Sequence, residues 1–245
     1  MEHIETFYTS ICDHYDRIFP GSEATVNLLA AGLEKSDRVL DLACGTGNYC
    51  LALAGRGLDV SGFDIDPASV ASARRKAEAK GWDIRIDVLD MRRATDALAP
   101  ASLRLAYCIG NSLVHLPDRP AVQAFIADVA TLLVPGGRFI FQIINYDRIL
   151  RERVDHLPTI ERDGLRFIRD YEHRDDVIDF ATTLELPDGK SVRNRVPLLA
   201  LKRQELEPML TPFADLRWYG ALDREVPWSS SSYATVVEAG RTQRS

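Results

Sequence analysis

The stretch Val39-Leu40-Asp41-Leu42-Ala43-Cys44-Gly45-Thr46-Gly47 decides how the rest of the chain is read. Its first half, with Arg38 before it, has the composition of a short buried strand. The second half is a turn of residues so small that a ligand can come against the backbone itself. A helix is predicted to begin behind the turn, at about Tyr49, and the N–H groups of such a helix start can meet an anionic group. Asp64 closes the next predicted strand, 17 positions after Gly47, a distance that suits an acid on a ribose diol.

Outward from this stretch the chain alternates. Helices are predicted over 67–80, with Pro67 at the start and Gly81 just past the end, and over 120–133, stopped by Pro135-Gly136-Gly137. Strands are predicted over 60–63, 84–89, 103–109 and 138–144. Such alternation implies a parallel sheet with right-handed crossovers. Before it, Ile4, Phe7, Tyr8, Ile11, Tyr15, Ile18 and Phe19 fall at helical spacing, and a second helix follows over 23–33. After residue 150 the texture changes to strands at 165–171, 177–186 and 192–201, with a hairpin signal at Pro187-Asp188-Gly189-Lys190. A helix over 202–210 and strands at 215–219 and 233–237 return to the main sheet, and Ser229–Ser232 reads as a mobile loop.

The 245 residues suit one large domain with an insertion. A net charge of -6 argues against binding nucleic acid through bulk charge, and no apolar run reaches the roughly 20 residues of a membrane span. The first residues carry acids and no apolar core, so a secretory signal is not expected and a cytoplasmic location is. Cys12, Cys44, Cys50 and Cys108 form no CxxC pair and have no His at zinc spacing, so they are read as free thiols and no metal is expected.

Two nucleotide-like ligands compete for the loop. A dinucleotide wants G-x-G-x-x-G, and here Cys50 stands in the third glycine's place. Asp41, at the strand end, would also repel a pyrophosphate but not a ligand carrying an ammonium and a sulfonium. Leu40-Asp-Leu-Ala-Cys-Gly-Thr-Gly47 resembles motif I of class I S-adenosylmethionine-dependent methyltransferases, and the resemblance extends over 36–145 through Asp64, Asp90-Met91 and Pro135-Gly136-Gly137.

The resemblance implies a Rossmann-like α/β fold: a doubly wound, mostly parallel seven-stranded sheet with a small antiparallel β insertion after the fifth strand. The expected organisation is a helical cap over 1–35, a core over 36–149 and 202–245, and an inserted sheet over 150–201 that builds the acceptor pocket. S-adenosylmethionine is the implied cofactor and a small molecule the implied acceptor, with no nucleic acid and no membrane as partner. Asp41, Ala43, Cys44 and Gly45 would contact the cofactor, Ala43 and Gly45 against its methionine part. Asp64 would take the ribose hydroxyls, with Ile65 flanking the adenine, Asp90 and Met91 at its edge and face, and Ile109 against the other face. Tyr8 and Tyr15 would form an aromatic lid, although the same spacing fits a core stripe.

Two further segments, Cys108–Pro117 and Asn145-Tyr146-Asp147, resemble the glycine N-methyltransferase branch. There an Arg stands just before the Asn-Tyr-Asp run and grips the substrate carboxylate; here Ile144 occupies that place, so glycine is not the expected acceptor. Nitrogen is the expected acceptor atom, with an oxygen acceptor and a non-catalytic cofactor sensor as alternatives. Asn111 and His115 are the candidate catalytic residues, weighed against a capping Asn and a loop-fixing His. Arg166, Arg169, Arg174, Arg193 and Arg195 crowd the insertion; one of them could replace the missing anion clamp, but charges on solvated strand faces are the commoner explanation, and none is named as a ligand.

Overall fold

Strands β1 (Arg38–Asp41), β2 (Asp59–Asp64), β3 (Arg85–Val88), β4 (Leu103–Cys108) and β5 (Leu133–Ile144) alternate with helices α3 (Asn48–Ala54), α4 (Pro67–Ala79), α5 (Ala94–Ala97) and α6 (Arg119–Leu132). The computed structural model describes the backbone of residues 2–174 and 177–242, and side chains within those ranges from residue 8 onward. The side chains of Ile4 and Phe7, two members of the helical stripe, lie outside the described residues. Two helices precede β1, α1 (Glu2–Ile18) and α2 (Glu23–Ala30). After β5 come α7 (Tyr146–Glu152), β6 (His156–Arg162), β7 (Leu165–Arg174), β8 (Val177–Glu185), β9 (Ser191–Leu199), α8 (Arg203–Met209), β10 (Asp215–Tyr219) and β11 (Ala234–Gly240).

The main sheet has seven strands in the order β10-β11-β5-β4-β1-β2-β3. The pairs from β5 to β3 are parallel, and β11 runs antiparallel to both β5 and β10. Phe139, Phe141 and Ile143 of β5 pack into one core cluster and Ile140 into the other. Both faces of the sheet are therefore covered, which is why β5 reads as a continuous apolar run. Helix starts follow their signals: Asp66 accepts from Ser69 N at 2.9 Å ahead of Pro67, and Asp118 accepts from Ala121 N at 2.8 Å ahead of Pro120. Because β2 lies on one side of β1 and β4 on the other, the strand order reverses beside β1. A crevice forms there at the carboxyl ends of the strands.

The insertion is a four-stranded antiparallel sheet, β6-β7-β8-β9. Its hairpin closes at Leu186 N to Lys190 O, 2.8 Å, with Gly189 at φ 84°. Helix α1 lies against α4 and β9, pinned by Asn194 Nδ2 donating to Ser10 Oγ at 2.8 Å, Thr9 Oγ1 to Asp66 at 2.5 Å and Lys76 Nζ to Asp16 at 2.7 Å.

Four features depart from the sequence reading. Strand β6 carries Pro158 and a register shift between Leu157 and Ile160, both tolerated because it is an edge strand. Helix α7 follows Asn145 directly. Pro135-Gly136-Gly137 does not precede β5 but forms a bulge within it, since Leu103 pairs with Leu133 and Leu105 with Arg138. A Cβ on Gly137 would stand 2.9 Å from Val134 O and 3.1 Å from Leu103 O, so only glycine fits there. Finally, the serine run is tied down: Asn145 Nδ2 donates to Ser229 O at 3.0 Å and Ser232 O at 2.9 Å.

Candidate active site

The crevice beside β1 holds two adjoining lobes, of about 410 Å³ and about 430 Å³. Tyr8, Tyr15, Ala43, Gly45 and His115 line both and so form the partition. Each lobe is within the size range of small-molecule sites.

The first lobe gathers Asp64, Ile65, Asp90 and Met91 from the ends of β2 and β3. Asp64 accepts from Gly45 N at 2.7 Å and from Asp66 N at 2.9 Å, so one carboxylate fixes the glycine loop and its own turn. Gly45 holds φ 52°, and Gly47 N closes the turn on Cys44 O at 2.8 Å. Gly47 has φ 86°, and a Cβ on it would meet Ala73 at 2.9 Å, so both backbone and space demand glycine. Asp90 caps the short turn after β3, accepting from Arg92 N at 2.9 Å and from the Arg92 guanidinium at 2.5 Å. Burial pushes the Asp90 carboxyl up, but Arg92 outweighs it and leaves the group below its ordinary value.

Two acids beside the loop are unlike Asp90. Asp41 is buried and its carboxyl is pushed up to about 7, chiefly by burial. Burial likewise lifts Asp64 to about 6, against the backbone N–H groups that hold it down. Neither has a cationic side chain at salt-bridge distance among the described residues, and Arg92, the first lobe's one cation, is spent on Asp90. This donor set suits a ligand that brings its own positive charge and disfavours a phosphate.

At the partition, Tyr8 Oη and His115 Nε2 share a hydrogen bond of 2.9 Å, and the Tyr8 ring packs edge-on to Tyr15 with centroids 6.4 Å apart. Tyr8 and Tyr15 are seven residues apart, hence on one face of α1. Ile11 and Ile18 of the same face are buried, while the two tyrosines border the cavity. Burial pushes His115 down to about 4, and its Nδ1 is buried with no partner. At neutral pH it is an uncharged ring.

The second lobe receives Asp41, Cys44, Ile109, Asn111 and Ile144. Ile109 lines this lobe and not the one with Ile65 and Met91. Leu116, Pro117 and Leu199 wall the first lobe, and the chain turns at Gly110, φ 84°. The Cys44 thiol packs toward Gly62, where an added Cβ would lie 3.0 Å from its Sγ. Asn111, at φ 69°, accepts from Ile144 N at 2.9 Å and reaches Tyr146 Oη at 3.3 Å, so it joins the ends of β4 and β5. The Asn-Tyr-Asp run is likewise framework: Asn145 holds the serine turn, Tyr146 is buried, and Asp147 accepts from Arg203 N at 2.8 Å.

Sequence reasoning missed the side chains that wall this lobe from the insertion: Leu157, Phe167, Arg169, Tyr171 and Phe180. The signal was present, since Phe167, Arg169 and Tyr171 alternate along β7 and share one face. The insertion also contributes Val177, Pro197, Leu198 and Leu199 to the first lobe, so it borders the whole cleft.

Residues 39–137 match the family described as a methyltransferase domain. Curated relatives include a ubiquinone biosynthesis O-methyltransferase of Idiomarina loihiensis, 33% identical over 44% of this chain and 42% of that protein. They also include the glycine N-methyltransferase of Rattus norvegicus, 29% identical over 46% of this chain and 42% of that protein. The chain thus matches about half the length, or less, of these relatives. A crystal structure of an S-adenosylmethionine-dependent methyltransferase from Clostridium acetobutylicum superposes with a TM-score of 0.80 at 18% identity, covering 96% of this chain and 99% of that one. The seven-stranded fold with its inserted sheet is therefore shared with that protein. Among the described residues no group of three or more His, Cys, Asp or Glu could hold a metal ion, and no helix is long and apolar enough to cross a membrane.

Proposed function

We propose that this protein transfers the methyl group of S-adenosylmethionine to a small-molecule amine. The observation that carries the reading is the division of the crevice into two lobes that meet at Tyr8, Tyr15 and His115, one bordered by Asp64, an acid with no cationic partner among the described residues, and the other by aromatic side chains. When bound in the first lobe, the cofactor supplies a methyl on a positively charged sulfur, which leaves as a neutral thioether. Asp64 is positioned to accept from the ribose, Ile65 and Met91 to flank the adenine, and Asp41 to favour the cationic end. The loop residues Ala43 and Gly45 let the ligand lie against the backbone. Because the leaving group is already activated, the chain's main contribution is alignment, which can be worth ~7–11 kcal/mol.

Nitrogen is favoured over oxygen by the state of His115. A hydroxyl acceptor needs a base, and a ring pushed down to about 4 by burial is a weak one. A neutral amine needs none. His115 with Tyr8 then acts as a polar edge that orients the acceptor, and Asn111 positions it indirectly by fixing Ile144. The test has two parts: calorimetric binding of S-adenosylhomocysteine, and transfer of labelled methyl to a panel of amines and alcohols. Binding with turnover of amines is expected. Turnover of alcohols in preference to amines would overturn the nitrogen assignment, and absence of binding would overturn the whole reading.

A further inference from the structure

The inner face of the inserted sheet is mostly apolar: Thr182 and Asn194 are neutral polar members of it, and Arg169 is its one arginine among the described residues. Along β7, Leu165, Phe167 and Tyr171 turn inward and are buried, while Arg166, Asp170, Glu172 and Arg174 are exposed. Arg169 takes an inward place in that alternation. Across the strands it stands between Leu157 of β6 and Thr182 of β8, and Tyr171 beside it faces Phe180. Three other arginines of the inserted sheet are paired with acids on the outer face: Arg166 with Glu161 and Glu185, Arg195 with Glu172, and Arg174 with Asp179. Arg193 is exposed. Arg169 follows neither pattern. Its one hydrogen bond among the described residues runs from Nη2 to Pro158 O at 2.5 Å, its Nε is buried without a partner, and no acid lies at salt-bridge distance.

A guanidinium turned toward an apolar face and left partly unbonded is costly unless something completes it. Arg169 is also the one cationic side chain lining the second lobe among the described residues, and the lobe's acid, Asp41, belongs to the β1 end. We propose that Arg169 is the anchor for a carboxylate on the methyl acceptor. The acceptor is then an amine whose carboxylate is carried on an apolar or aromatic body, because Phe167, Tyr171, Phe180 and Tyr233 line the space around the anchor. A guanidinium holds a carboxylate through two parallel N–H···O bonds. This deepens the methyl-transfer reading and rests on it. It also accounts for Ile144: the anion is gripped from the inserted sheet and not from the end of β5.

The experiment uses the full chain and matched probes: 2-, 3- and 4-aminobenzoate and phenylalanine, each against its carboxamide. Methyl transfer from labelled S-adenosylmethionine is measured for both series. Binding of the acids to the protein saturated with S-adenosylhomocysteine is measured by calorimetry. The wild type is expected to prefer at least one acid over its amide by about ten- to a hundredfold in kcat/KM. Arg169→Gln should erase that preference through KM, with kcat and S-adenosylhomocysteine affinity unchanged. Arg169→Lys, which keeps charge but not the fork, should retain part of it and serves if the Gln variant does not fold. Equal use of acid and amide, an unchanged KM in Arg169→Gln, or no acid methylated or bound while S-adenosylhomocysteine binds would each overturn the anchor alone. Failure of S-adenosylhomocysteine to bind would overturn the parent reading as well.

Discussion

The two lobes of the cleft are built by different means. The first is a backbone structure: a turn that demands glycine at Gly47, a carboxylate bonded to two main-chain N–H groups, and an Asp90 that caps its own turn. The second is walled by side chains standing off an antiparallel sheet, with an aromatic row and one inward arginine. A backbone site is specified locally and serves a ligand whose shape does not change. A side-chain wall can be altered residue by residue without disturbing the sheet that carries it, and so is suited to setting which acceptor enters.

The sharpest way to break this contrast is to remove a piece of the side-chain wall. Phe167 is buried and packs edge-on to Phe19 with centroids 5.7 Å apart. Phe167→Ala should cost about 3–5 kcal/mol of stability, read from chemical denaturation, and should raise the acceptor KM more than the cofactor Kd. An equal effect on both constants would mean the lobes do not divide the work.

Asp64→Ala probes the other side. Charge-assisted hydrogen bonds are worth roughly 1.5–3 kcal/mol, so S-adenosylhomocysteine should bind about ten- to a hundredfold more weakly by calorimetry. The acceptor KM at saturating cofactor should stay as it was. Unchanged cofactor affinity would remove the ribose assignment.

A smaller effect comes from pH. Asp41 and Asp64 titrate near 7 and 6 because they are buried. Lowering the pH from 8 to 6 therefore neutralises acids that favour a cationic ligand. S-adenosylmethionine affinity should fall as the pH drops, by up to about tenfold if only the ionised Asp41 binds it well. Asp41→Asn should flatten that profile. Smallest is Tyr8→Phe, which removes the bond to His115 across the partition; at about 1 kcal/mol it should lower kcat/KM roughly fivefold, without shifting cofactor Kd by a comparable factor.

The same division explains what could be read from the chain. The main sheet was legible because each strand and helix is marked locally, by Pro67 and Gly81 or by the small residues around Gly45. The first lobe followed, since Asp64 and Met91 sit at strand ends that the alternation fixes. The second lobe was legible only in part. Its walls meet through sheet pairing, and Asn145 acts on a turn more than eighty residues away. Strand β6 was obscured by Pro158 and its register shift. The inward turn of Arg169 was written in the alternation Leu165, Phe167, Arg169, Tyr171, but a count of arginines hid it among four that face outward or lie exposed. The insertion also borders the first lobe through Leu198 and Leu199, a contact that strand alternation alone does not mark.

The most direct test of the two-lobe account is a crystal structure of the protein with S-adenosylhomocysteine. The account predicts the ribose at Asp64, the adenine between Ile65 and Met91, and the thioether sulfur turned past Tyr8 and Tyr15 toward the lobe of Ile144, Tyr171 and Phe180. A nucleoside seated in that second lobe, or a sulfur turned away from it, would contradict the assignment of cofactor and acceptor to their separate lobes.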